Sequence, residues 1–413
     1  MKFSKRLRSN LIMVLVVGLV VSLFSTVALA QSISLQGNWN PEVKLRLEKL
    51  IAANAGQGRI CVFDFDNTTI CRDIGEATMA ALNEAGLVTK EKHYKCVNPE
   101  SFMLDGKKIT MDTAENLPAY YENFLSATKH HELESTPYEN GYGWVVQIMA
   151  PMSPADWLPS TEKAFSDGVS ESDTKSADLK ETKINGYRMP FFYPEMVDLY
   201  GVLLKNGYKV YISSASNVHT VRWMVLNKLN PRIQALHGKD LAIPAQNVIG
   251  ISCLMIDDRS GKLCKDPYLV QENEKYAQCD TEELSHFHLT SQICHPMNGY
   301  FGKVANIMKY ITVERPFLIA GDSSNDLPML DRSENRIWIT RLEKMNYQET
   351  LVKVMKKALP GQWYVQPVLY KKAPGFVSTQ ADLNKRLAAK PKNLAKVNKV
   401  VKFLENNKAL NSF

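Results

Sequence analysis

The chain has 413 residues, of which 45% are hydrophobic and 23% charged, and a net charge of +7. That apolar fraction excludes disorder of the whole and allows one large core with an elaborated insertion, or two domains. Four of the positive charges fall on Lys2, Lys5, Arg6 and Arg8, so the rest of the chain carries only a small excess, which argues against a nucleic-acid partner.

Those four residues precede an uncharged apolar run from Leu11 to Phe24, and Ala28-Leu29-Ala30 offers small residues for cleavage. This is the pattern of a secretory signal peptide ending at Ala30, which predicts a periplasmic or secreted protein with no stable membrane insertion after cleavage. Extended to Ala30, the run is about 20 residues and long enough to span a bilayer as an uncleaved N-terminal anchor. Either version places the remainder of the chain outside the cytoplasmic membrane. The seven cysteines are Cys61, Cys71, Cys96, Cys253, Cys264, Cys279 and Cys294, so in an exported chain at least one stays unpaired. Cys61, inside an apolar run, is the candidate for a buried free thiol. The last four allow one or two disulfides whose pairing the spacing does not give, and no CxxC or HxxxH spacing supports zinc.

Residues 41–56 have helical apolar spacing and lead into a strand expected over 59–66. There the apolar run Ile60-Cys61-Val62-Phe63 passes directly into Asp64-Phe65-Asp66-Asn67-Thr68. A short apolar run bounded by Gly58 and by polar residues reads as a buried strand of a parallel sheet. Ligands of such sheets bind outside the strands' carboxyl ends, so Asp64 and Asp66 are expected at an active-site rim. From about Glu76 to Arg188 the strand-helix alternation is lost. This insertion predicts helices, an aromatic-rich centre from Tyr120 to Trp157, and a Ser/Asp/Lys/Glu-rich loop at 166–184.

The alternation resumes at Met189-Pro190-Phe191-Phe192-Tyr193-Pro194, followed by a helix to Asn206 and a turn at Gly207. The strand Val210-Tyr211-Ile212-Ser213-Ser214-Ala215-Ser216 ends in hydroxyls, and Val218 to Leu229 reads as helix. Val248 to Cys264 predicts a hairpin turning at Asp257-Asp258-Arg259-Ser260-Gly261, a position that explains its two acids as turn residues. Gly302-Lys303-Val304 opens a helix, and Phe317-Leu318-Ile319-Ala320-Gly321-Asp322-Ser323-Ser324-Asn325-Asp326 is a strand running into acid. From Lys371 to Phe413 stand ten basic and two acidic residues, which predict a basic tail with a solvated helix face.

An aspartate pair, a serine, a lysine and a GDxxxD-type loop, in this order, are the four motifs of the haloacid dehalogenase-like phosphatase superfamily, which the chain resembles over about residues 58–340. The resemblance implies an α/β fold with a doubly wound, Rossmann-like parallel sheet. Its core is expected over 41–75 and 189–370, with a mostly helical cap at 76–188 between the first and second motifs. It implies Asp64 as nucleophile, forming an aspartyl-phosphate, and Asp66 as acid and base. Mg²⁺ is expected on the Asp64 carboxylate, the Asp66 backbone carbonyl and Asp322, with Asp326 in support. Ser214 and Lys303 then meet phosphoryl oxygens. Strand alternation leaves Ser213 and Ser214 both open, whereas alignment of Ser214-Ala215-Ser216 with the family's Ser-Gly-Gly favours Ser214. Thr68 is expected to orient the loop after the nucleophile.

Within the superfamily the chain resembles the phosphoserine-phosphatase-like branch, and there the exported phosphorylcholine phosphatases. That finer likeness rests on Asp64 to Thr69 followed by Asp73-Ile74-Gly75-Glu76-Ala77, on Ser214-Ala215-Ser216-Asn217 and on the export signal. The expected substrate is a small phosphomonoester, phosphorylcholine first. Its quaternary ammonium needs aromatic faces with an acid nearby, and the insertion offers Tyr120, Tyr121, Tyr138, Tyr142, Trp144 and Trp157 with Asp73 and Glu76. Most such rings form a domain's own core. Phosphoserine, with Arg72 or Arg188 on its carboxylate, is the alternative within enzymes. A catalytically inactive exported binding protein is the alternative outside them, opposed by the apposed carboxylates, whose repulsion costs stability in a scaffold without a metal.

Overall fold

The computed structural model describes residues 33–126, 141–166, 183–184, 187–357, 361–410 and 413. The signal segment, most of the 166–184 loop and Tyr138 lie outside the described residues. A seven-stranded sheet organises the molecule. Its strands in chain order are β1 (Ile60–Phe63), β2 (Lys209–Asn217), β3 (Val248–Ile251), β4 (Leu318–Gly321), β5 (Asn335–Arg341), β6 (Trp363–Leu369) and β7 (Gly375–Phe376). They lie in the order β3-β2-β1-β4-β5-β6-β7, all parallel except the last pair. The first six reproduce the doubly wound order, whose reversal between β1 and β4 opens a crevice at the strands' carboxyl ends.

Alternation along the strands explains why both faces are covered. Cys61 and Phe63 enter one core with the helices Pro41–Ala53 and Pro194–Lys205, whereas Val62 between them enters another with Met345–Met355 and Pro391–Asn406. Leu318 and Ala320 join the first core and Ile319 the second. An apolar strand with no polar face is therefore buried on both sides, as parallel strands are.

The insertion begins where Asp73 caps the helix Ile74–Glu84, accepting a hydrogen bond from the Glu76 amide at 2.8 Å. Met79 and Leu82 of that helix share a core with Tyr120, Tyr121, Trp144 and Trp157, and also with Met255, Phe287 and Leu289. The last three belong to a three-stranded antiparallel sheet of Lys262–Cys264, Cys253–Asp257 and Phe287–Ile293. The cap is thus built from two stretches, and its boundary at 76–188 requires correction. The hairpin turns where its residues predict, with Gly261 at φ 65° and Asp257 accepting from Ser260 at 2.8 Å, but it begins at Cys253 and not at Val248, because Val248–Ile251 pairs in the central sheet as β3. What a hairpin packs against is not written within it.

The basic C-terminal tail also requires correction. Gly375–Phe376 completes the sheet, and the helix Pro391–Asn406 buries Val397, Val400, Val401 and Leu404 while Lys392, Lys396, Lys399 and Lys402 stay exposed. These buried residues recur at helical spacing, so one face is solvated as expected and the other is core. Leu404→Ala should lower unfolding free energy by about 2–5 kcal/mol in a urea titration, whereas Lys402→Ala should change it by less than about 0.5 kcal/mol.

Candidate active site

Four charged side chains meet at the carboxyl ends of β1 and β4. Asp64 follows β1, its amide donating to Ala320 O at 3.0 Å, and Asp322 follows β4. Lys303, near the start of the helix Phe301–Tyr310, donates to Asp64 Oδ1 at 2.6 Å and to Asp326 Oδ1 at 2.7 Å. Asp326 Oδ2 in turn accepts the Asp322 and Ser323 amides, both at 3.1 Å, and the Ser323 hydroxyl at 3.2 Å. The loop can close this tightly because a Cβ on Gly321 would stand 2.4 Å from Asp326 Cβ. Arg341, at the end of β5, reaches Asp322 Oδ2 at 2.5 Å, its guanidinium lying over the rings of Tyr347 and Tyr370 at 4.8 and 5.4 Å.

All of these groups are buried. Burial, and the negative charge of Asp326, push Asp64 up to about 7 against the pull of Lys303. Burial pushes Asp322 up to about 8, with Arg341 opposing it and Asp326 and Asp64 adding to it. For Lys303 burial works against the charged form, but Asp326 and Asp64 outweigh it and raise the pKa. Three carboxylates therefore face two cations, and the negative charge is not fully relieved. One oxygen of each of Asp64, Asp322 and Asp326 lies within 4.8 Å of the others. An all-oxygen carboxylate set of this kind fits a hard divalent cation such as Mg²⁺. With both Asp326 oxygens engaged by Lys303 and the loop, Asp64 and Asp322 are the carboxylates that face such an ion.

Asp66 turns the other way. Its Oδ1 accepts the Ile74 amide at 2.8 Å, and its Oδ2 accepts the hydroxyls of Ser214 at 3.1 Å and Ser216 at 2.8 Å. Its carboxyl thus stays out of the three-carboxylate cluster. Burial and the charge of Asp73 push its pKa well up. Of the two serines left open by alternation, Ser214 faces Asp66, whereas Ser213 lies 3.5 Å from Asn298 Oδ1. Thr68 is buried with its hydroxyl 3.5 Å from Asp322 Oδ1, beside the acidic loop.

The cap supplies the opposite wall. Glu76 is hydrogen-bonded to Tyr187, and the charges of Glu76 and Asp73 act on Tyr121, Tyr142 and Tyr187. Tyr300 and Tyr347, from the core, act on Tyr142 as well. Trp144 does not share this wall, being 1% exposed in the cap core, its ring 5.8 Å from Tyr120. Trp157 is buried against His219. Arg72 donates to Met189 O at 2.7 Å and Arg188 to Lys371 O at 2.5 Å, so each holds backbone at those contacts. The site residues that sequence reasoning missed are Ser216, Arg341, Tyr187, Tyr300, Tyr347 and Asn298. Ser216 had a signal, standing two residues after Ser214 on the same side of a strand.

A crevice at the β1/β4 switch point, a cap over it, two divergent aspartates and a lysine-bridged acidic loop form the arrangement of a phosphoric monoester hydrolase of the haloacid dehalogenase-like type. The sequence is similar to that of phosphorylcholine phosphatase from Pseudomonas aeruginosa, with 27% identity over 354 residues, covering 82% of this chain and 91% of that protein. No family model matches the chain. Among solved structures, a conserved protein of unknown function from Anaerococcus prevotii has 19% identity and a TM-score of 0.49, covering 84% of this chain and 98% of that one. A phospho-aspartyl intermediate analogue of phosphoserine phosphatase has 12% identity and a TM-score of 0.32, covering 76% and 94%. At these scores the two structures add nothing to the assignment.

Lys303→Met removes the cation between two buried carboxylates. It should lower stability by about 3–5 kcal/mol near pH 8 in chelator, read from denaturant unfolding. An unchanged midpoint would contradict the bridging role.

Proposed function

We propose that the protein is an exported, Mg²⁺-dependent phosphomonoesterase acting on phosphorylcholine through an aspartyl-phosphate. The observation that carries the reaction is the divergence of the two aspartates: Asp64 is bound to Lys303 in the acidic cluster, whereas Asp66 faces hydroxyls and the start of the cap helix. Phosphoryl transfer needs a positioned nucleophile, charge neutralisation and a proton for the departing alkoxide. Asp64 attacks phosphorus, and the ester P–O bond breaks as the Asp66 proton moves to the leaving oxygen. Asp66, now a carboxylate, takes a proton from the water that hydrolyses the acyl-phosphate. Lys303 and the Ser214 hydroxyl meet the phosphoryl oxygens. Asp64, Asp322 and the Asp66 carbonyl, with Asp326 in support, would hold Mg²⁺, which would supply positive charge against the phosphoryl group.

Support for a cationic substrate comes from the cap wall, where Glu76 and Asp73 stand among Tyr121, Tyr142 and Tyr187, and from the likeness to the Pseudomonas enzyme. A second reading, phosphoserine, is favoured by Arg341 and by Lys344, whose ammonium lies 5.8 Å from the Tyr347 and Tyr370 rings within reach of the Glu76 and Asp322 charges. These are the cations that a substrate carboxylate meets in place of Arg72 and Arg188. Support for export comes from the signal pattern and from the stretch soon after Ala30: the Gln36 amide donates to Asp198 and the Asn38 amide to Glu195, each at 2.7 Å, so ordered packing starts close to the expected cleavage site.

Phosphate release from phosphorylcholine, phosphoserine, glycerol phosphate and p-nitrophenyl phosphate, with Mg²⁺ and with chelator, tests this reading. Phosphorylcholine should lead, and chelator should silence all four reversibly. Burial, with the charges of Asp66 and Glu122, pushes Glu76 up to about 7 against the hydrogen bond from Tyr187. Glu76 is therefore anionic only above that pH, and KM for phosphorylcholine relative to p-nitrophenyl phosphate should fall as pH rises through it. Glu76→Gln should abolish that trend and raise KM for phosphorylcholine by about tenfold. A flat ratio in the wild type would remove the cation from the substrate.

A further inference from the structure

The hydroxyl of Ser214 has two tasks it cannot perform at once. In the structure it donates to Asp66 Oδ2 at 3.1 Å and accepts the Ser216 amide at 3.0 Å. As the group that meets a phosphoryl oxygen, it must turn its one proton away from Asp66. Its main chain is free of that conflict, because Asn298 Nδ2 pins the Ser214 carbonyl at 2.7 Å and Asn306 holds Asn298 at 3.1 Å. Only the side chain has to rotate. Asp66 then keeps the Ile74 amide on Oδ1 and one hydroxyl on Oδ2, that of Ser216 at 2.8 Å.

The surroundings of Ser216 are shaped for that contact. The side chain is 7% exposed, and it abuts the first turn of the cap helix at Gly75, where an added Cβ would stand 2.7 Å from Ser216 Oγ and 3.2 Å from its Cβ. Any larger residue at 75 drives the hydroxyl off its present position. The glycine is helical, at a backbone conformation open to alanine, so close approach and not backbone freedom is what requires it here.

We propose that Ser216 is the positioning residue of Asp66: it holds the carboxyl toward the leaving oxygen when Ser214 is drawn to the phosphoryl group, with Gly75 providing the space. The proposal rests on the acid and base role of Asp66 in the proposed function. Proton delivery matters for an alkoxide leaving group, which is a strong base, and little for p-nitrophenolate, which departs as a stable anion. A positioning defect therefore appears as a change in leaving-group dependence, which loss of structure alone does not produce.

The test compares kcat/KM, which reports the first displacement, on p-nitrophenyl phosphate and on the alkyl ester turned over fastest among phosphorylcholine, phosphoserine and glycerol phosphate. Ser216→Ala should lose at least about tenfold more on the alkyl ester, within the range that general acid catalysis contributes. Gly75→Ala, with Ser216 intact, should show the same selective loss. Equal losses on both esters, or no loss, in Ser216→Ala would overturn the proposal while leaving the phosphatase reading in place. Absence of phosphate release from every ester by the wild-type protein with Mg²⁺ would overturn both.

Discussion

The Lys303 ammonium, buried between Asp64 and Asp326, is the contact on which the rest of the site depends. It joins the first motif to the fourth across the β1/β4 crevice and partly offsets the repulsion among three buried carboxylates. Asp326 is the pivot of this arrangement. One of its oxygens takes the lysine and the other folds the Gly321–Asp326 loop upon itself, so the same residue sets both the charge balance and the direction in which Asp322 points. Arg341 fixes the far oxygen of Asp322 from the next strand. The remaining excess of negative charge suits the three carboxylates to hold a divalent ion.

Asp66 belongs electrically to the same site but mechanically to its boundary. Its two oxygens are held by the second motif on one side and by the first amide of the cap helix on the other. Asp66, the proposed acid and base, thus sits where core and cap join; Glu76 follows on the helix Ile74–Glu84, and its hydrogen-bond partner Tyr187 comes from the separate strand Tyr187–Arg188. Asp66 and Glu76 are thus linked through the start of one helix, whose Ile74 amide holds the first and which carries the second.

Much of this was legible in the chain. The short apolar runs that end in Asp64, Ser214 and Asp322 mark strands buried on both faces, and parallel strands place their ends together. Position within the cap was less legible. Tyr142 and Trp144 are two residues apart on the helix Gly141–Gln147, hence on nearly opposite faces, and only the first is turned to the site. Arg341 gave no signal, because β5 carries two buried arginines and the other, Arg336, is satisfied by the carbonyls of Leu330 at 2.8 Å and Ser333 at 2.7 Å. The C-terminal helix was legible in its Val397, Val400, Val401 and Leu404 spacing, but its lysines masked it. The second half of the cap depended on contacts distant in sequence, which a local pattern does not carry.

The most direct test of the account is the site of covalent phosphorylation during turnover. The protein is mixed with substrate and Mg²⁺, quenched in acid within a single turnover and digested, and its peptides are read by mass spectrometry. The account predicts a phosphoryl group on Asp64 that is absent from Asp64→Asn. A phosphoryl group on another residue, or rapid turnover with no labelled peptide at any quench time, would contradict it.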